Sequence, residues 1–300
     1  MRDEWLAWMA PFWCDQLAPA QVCAQQRRVY IRAGAAEEGL NLAKEYAMFD
    51  LSYELVVMLI GAAFVAGFVD SIAGGGGLIT VPALLLAGIS PLQALSTNKI
   101  QGTFGAATAA LSYAASGRVD LKRQLPAAAL AFVAGLCGAL LVSVIPTEHL
   151  QTALPFVLIA IAVFFALRPG LDDTDRVERI RPAAFTAFFV PVIGFYDGLI
   201  GPGTGAFFMI GFVMLAGYGV LRATAHTKLL NFASNIGGLV GFIAMGAPLW
   251  GLGLAMGVAQ IAGARLGSKL AMRIGARLIK PLLVATSSLL ALKLIWDRFL

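Results

Sequence analysis

Apolar runs too long for a soluble core constrain this chain more than any other feature. Leu125–Val144 alone matches the roughly 20 residues that carry a helix across a bilayer. From residue 51 onward such stretches fall into two sets of five: 51–72, 77–89, 91–116, 124–145 and 150–168, then 182–200, 204–218, 221–246, 248–268 and 279–298. Only 13% of residues are charged, against about 25% in soluble domains. The mean hydropathy of +0.80 agrees. The expected fold is all-α and polytopic, and a soluble enzyme or domain is excluded.

The two sets are copies. GFVDSIAGGGG at 67–77 matches GFYDGLIGPGT at 194–204, which pairs Asp70 with Asp197. LAGISPLQALSTNK at 86–99 matches MLAGYGVLRATAHTK at 214–228, which pairs Lys99 with Lys228. The domains expected are an N-terminal extension over 1–50, a first membrane repeat over 51–168, a charged linker over 169–181 and a second repeat over 182–300. The extension carries five basic and seven acidic residues and no long apolar run, so it reads as poorly ordered or peripheral.

The net charge of +5 is concentrated between apolar spans, at 117–123, 168–182 and 265–280. That is how cytoplasmic loops look, whereas a nucleic-acid binder gathers such residues on one face. The turns at 146–151 and 246–249 contain no Lys or Arg and are expected outside. Both chain termini are then expected on the outer face and the linker in the cytoplasm. An odd number of segments per copy makes the two repeats enter from opposite sides, the inverted-repeat plan of many secondary transporters.

Each copy opens with a broken crossing. Segment 77–89 gives only about 20 Å of helix against a hydrocarbon core of about 30 Å. It follows Gly74-Gly75-Gly76-Gly77, and segment 204–218 follows Gly201-Pro202-Gly203-Thr204. Glycine runs and proline do not sustain a helix, so each pair of segments is expected to form a re-entrant hairpin, with the tips at Gly75 and Gly203 close together. Backbone N–H groups freed at such a break favour an anion. The seams Gly237–Gly241, Gly253–Gly257 and Gly263–Gly267 are expected only to bring helices together.

Asp70, Asp197, Lys99 and Lys228 lie within or at the ends of apolar segments, where a charge costs about 2.5–3.5 kcal/mol or more. They line a pathway, or they form one Asp–Lys bridge within each repeat, or both. A lysine in a dry pocket is a point charge suited to anions. Thr97 and Asn98 accompany Lys99; Thr227 and Asn231 accompany Lys228, with Asn235 on the same helical face. His226 is assigned to charge pairing or proton coupling because imidazole titrates near neutral pH. Cys14, Cys23 and Cys137 form no metal-ligand spacing, and neither metal nor cofactor is expected.

GFVDSIAGGGGLITVPALL, ALSTNK, GFYDGLIGPGTG, ATAHTKLLN and SNIGGL together resemble the TauE/SafE family of anion exporters, most nearly its YfcA-type subgroup, over residues 51–298. The resemblance implies a plasma-membrane transporter of sulfur-containing anions such as sulfite or organosulfonates. The partners expected are that anion, a coupling proton or sodium ion, the bilayer and, with the oligomeric state left open, a second copy in a homodimer. An anion channel is the nearer alternative. An intramembrane aspartyl protease is remoter, because Tyr196-Asp197 resembles one motif of that class while Asp70 follows Ala66-Gly67-Phe68-Val69, not GxG.

Overall fold

In the computed structural model, residues 51–146 and 174–275 are described, with positions 148, 149, 156 and 160 between them. The expected extension over 1–50, most of 150–168, and the segment 279–298 with Arg277, Lys280 and Leu300 fall outside the described residues. Among the described residues the chain is helical, without a strand.

Helix α1 (Tyr53–Ala73) starts where the Ser52 hydroxyl accepts Leu55 N–H, and stops at Gly74, whose φ of 83° is left-handed. Helix α2 (Gly76–Leu86) has 11 residues, about 16 Å, too short to span. Ser90 and Pro91 start α3 (Pro91–Ala115). Asp120 caps α4 (Leu121–Val142) by accepting Lys122 and Arg123 N–H at 3.0 and 3.3 Å. Helix α5 (Pro182–Leu199) widens into a π turn over Phe185–Phe189, where Val190 N–H reaches back to Phe185. Pro191 explains the widening, since its ring leaves no room for a regular turn beneath it. Helix α6 (Thr204–Met214) repeats the short length of α2. Helices α7 (Val220–Ala244) and α8 (Trp250–Ile274) complete the described fold.

Helices α1, α4 and α5 are long and apolar enough to cross a membrane. Helices α3, α7 and α8 have 25 residues each, about 37 Å, and carry the polar groups. Large apolar side chains such as Val133, Val192 and Val258 face outward, as lipid contact requires. The chain is a polytopic helical membrane protein.

Packing joins helices of the two halves. Helix α1 packs on α8 and α5 on α4; α3 packs on α8 and α7 on α4; α3 and α7 meet at the centre. Exchanging the two halves maps these neighbours onto one another. Small residues make the seams: a side chain at Gly263 would strike the Phe64 carbonyl, and one at Gly237 the Phe132 carbonyl. The three glycine pairs expected to serve packing all lie against a neighbouring helix, Gly253 and Gly257 against the side chains of Ile100 and Phe104.

The basic stretch 265–280 was expected to be a loop, but α8 continues through Ile274, so Arg265, Lys269 and Arg273 are exposed on one face of its last turns. Long stems let such side chains stay helical while their charges reach water. Arg176 and Arg179 N–H bond the carbonyls of Gly217 and Leu215, so the chain before α5 and the chain after α6 lie side by side. Helices α5 and α6 thus form a hairpin that returns to the end it left. Arg118, Arg123, Glu178, Tyr218, Arg222 and His226 are among the residues lining one cavity at that basic end, about 870 Å³ in volume.

Candidate functional site

The two breaks face each other. Ala206 N–H, at the start of α6, donates to the Gly74 carbonyl at 2.9 Å. A Cβ on Gly74 would overlap the Gly205 backbone, and one on Gly77 would lie 3.1 Å from Pro202 Cα. The contact therefore runs through Gly74, Gly77, Pro202 and Gly205, and the tip residue Gly75 stands aside from it. Gly201 and Gly203 have φ of 93° and 85°, a conformation glycine adopts freely.

Behind the breaks lie two fully buried lysines. Lys99 of α3 donates to Asp197 Oδ1 at 2.7 Å and to the Asp197 backbone carbonyl. Lys228 of α7 donates to the Asp70 carbonyl, with Asp70 Oδ2 at 3.5 Å. Each lysine thus pairs with the aspartate of the other half. The expectation of one bridge within each repeat is overturned. The reason is geometric: α3 and α7 cross at the centre, so each carries its lysine to the opposite break.

Between the breaks is a cavity of about 20 Å³, room for about one water. Asp70, Gly74, Gly76, Gly77, Asn98, Asp197, Gly201, Gly203, Thr204 and Asn231 line it, all of them site residues expected from the sequence. Lys99, Lys228, Gly75, Thr97, Thr227 and His226 do not. The aspartates stand between the ammonium groups and the cavity. Thr97 Oγ1 is taken up structurally, accepting Leu249 N–H at 3.1 Å. Thr227 is buried, its hydroxyl without a partner among the described residues. His226 lies elsewhere, its ring against Phe212 and Tyr218 in the basic-end cavity.

Amides complete the wall. Asn98 Oδ1 accepts Thr80 Oγ1 at 2.7 Å and Gln101 Nε2 at 3.3 Å, while Asn235 Nδ2 bonds Asn231 Oδ1 at 3.1 Å. Gln260 of α8 lines the cavity as well, and sequence reasoning missed it. Its signal was a single amide amid GLGLAMGVAQIAG, without a counterpart in the other repeat. The arrangement can hold a small polar or charged species against carboxylates and amides, and exposes the ammonium groups only if an aspartate moves.

A family model described as sulfite exporter TauE/SafE matches residues 59–294. A probable membrane transporter protein, ORF9, from a Sinorhizobium species is 56% identical over 83% of this chain and 96% of its own length. The probable membrane transporter protein YfcA of Escherichia coli K12 is 43% identical, covering 84% and 93%. A probable membrane transporter protein of Haemophilus influenzae is 39% identical, covering 83% and 98%. No solved structure matches the chain.

Proposed function

We propose that this chain, which belongs to the sulfite exporter TauE/SafE family, is a secondary transporter carrying small sulfur-containing anions across the plasma membrane. The observation that carries the reading is the pair of buried ammonium groups, Lys99 and Lys228, set behind touching glycine breaks. A buried lysine is costly, and two at equivalent places of a duplicated fold have a use that a structural bridge alone does not require. The anion displaces an aspartate from its lysine and lies against the breaks' backbone. Because the cavity holds about one water, an oxyanion enters only as the breaks part. The two halves alternate access to this point as inverted repeats, with the basic end in the cytoplasm.

The test is flux of labelled sulfite, thiosulfate and methanesulfonate in liposomes holding the purified protein. Lys228→Met is expected to weaken the substrate affinity by about 5- to 150-fold, roughly 1–3 kcal/mol. A well-folded variant that transports with wild-type affinity overturns the binding role. Flux that never exceeds the downhill rate under any imposed ion gradient favours a channel. Orientation is tested separately by impermeant labelling of single cysteines at Gly117 and Gly246, with only the second expected to react from outside.

A further inference from the structure

Asp197 is 1% exposed and lines the cavity, yet its Oδ2 has no hydrogen-bond partner among the described residues. Its other oxygen holds Lys99 at 2.7 Å. An unpartnered buried acceptor costs about 1–3 kcal/mol, more when charged, and here it borders a polar space of water size. Among the described residues, few charged groups surround it. Lys99 comes from α3; Asp70 of α1 and its partner Lys228 of α7 lie across the cavity. Helix α6 has no titratable side chain, α4 has Lys122 and Arg123 only in its first turn, and α8 presents Gln260. On α5 itself, the neighbouring Tyr196 hydroxyl donates to the Pro202 carbonyl. Arg222 and His226 of α7 line the basic-end cavity instead. Two ammonium groups and two carboxylates thus balance.

We propose, on the premise that the site takes an anion, that each singly charged anion moves together with one proton carried by Asp197. An anion oxygen takes the place of Asp197 Oδ1 on Lys99. The carboxylate is then buried without its cation, the condition under which a carboxyl group gives up its charge. A proton entering from the bulk solution on the side from which the anion comes forms the O–H bond on the displaced carboxylate, and the sum over anion, two lysines, Asp70 and protonated Asp197 stays zero. Release reverses both steps. Asp70 does not share the task, because Gly76 N–H already holds its Oδ1 at 3.2 Å.

The experiment uses methanesulfonate, whose charge does not vary near neutral pH, with the wild-type protein in liposomes clamped at zero membrane potential. One unit of pH difference, acid outside, is expected to drive about tenfold accumulation, which a protonophore abolishes. A trapped pH dye is expected to show internal acidification when the anion is added. Asp197→Asn is expected to lose both the pH-driven accumulation and the internal acidification; should that variant not fold, the dye measurement on the wild type decides alone. Accumulation driven by sodium, or flux indifferent to the pH gradient, overturns the proton proposal while leaving anion transport standing. Absence of flux for all three anions under both gradients instead overturns the anion reading, and this proposal with it.

Discussion

The two breaks are copies in sequence but differ in how their aspartates are held. At the first, Asp70 Oδ1 accepts Gly76 N–H, and its distance to Lys228 is 3.5 Å. At the second, Asp197 grips Lys99 at 2.7 Å, and the turn is fixed without it: Thr204 Oγ1 donates to the Gly201 carbonyl at 2.6 Å. Asp70 therefore also starts a helix, while Asp197 has one anchor and a free oxygen. The two motifs place matching groups, and local turn chemistry gives them unequal freedom.

That inequality is easiest to break through the lysines. Lys99→Met leaves Asp197 buried and unpaired, for which a loss of about 3–5 kcal/mol is expected. It should appear as a collapse of monodisperse yield and melting temperature in detergent. Asp197→Asn in the same molecule is expected to restore both, whereas Asp70→Asn is not. Lys228→Met is expected to cost less, since Asp70 keeps Gly76 N–H and a side chain 13% exposed. Equal losses for the two lysines, or rescue by the aspartate of the same half, would refute the comparison.

Glycine substitutions sharpen it at the next level. Gly74 and Gly88 have nearly the same positive φ, 83° and 82°, but only Gly74 is pressed against another backbone. Gly88→Ala is expected to cost about 1–2 kcal/mol from backbone strain and to leave transport intact. Gly74→Ala adds a clash with Gly205 and is expected to abolish flux at equal expression. Similar flux for the two variants would mean that the breaks do not depend on their contact.

The smallest effect lies outside the membrane segments. Gly219 N–H, with Arg222 helping, holds the Asp175 carboxyl below its usual range. A lowered folded value stabilises above the unfolded value of about 4 and is lost as pH falls through the folded one. The melting difference between wild type and Asp175→Asn is expected to be small at pH 7 and to vanish in strong acid. A difference that grows on acidification reverses the sign and removes the capping role.

Much of this was legible beforehand because repetition is readable. Asp70 with Asp197, Lys99 with Lys228, and the shortness of α2 and α6 come from comparing one stretch with another. The crossing of the ion pairs was not legible, since no local pattern says which of two equivalent lysines an aspartate will meet. Gln260 was not legible, because it has no counterpart in the other half. The reach of α8 was not legible from charge alone, since Arg265 and Lys269 resemble loop residues, although their spacing of four keeps both on one helical face.

The crossed pairing also bears on how the protein is made. When the first half leaves the ribosome, Lys99 and Asp70 arrive in the bilayer before the residues that neutralise them. Until α5 and α7 are inserted, those charges have only each other, lipid headgroups or water. The first half on its own is therefore a provisional structure that the insertion machinery must tolerate, and the second half closes it. Separately synthesised halves should find one another, because neither can discharge its own lysine in the way the whole chain does.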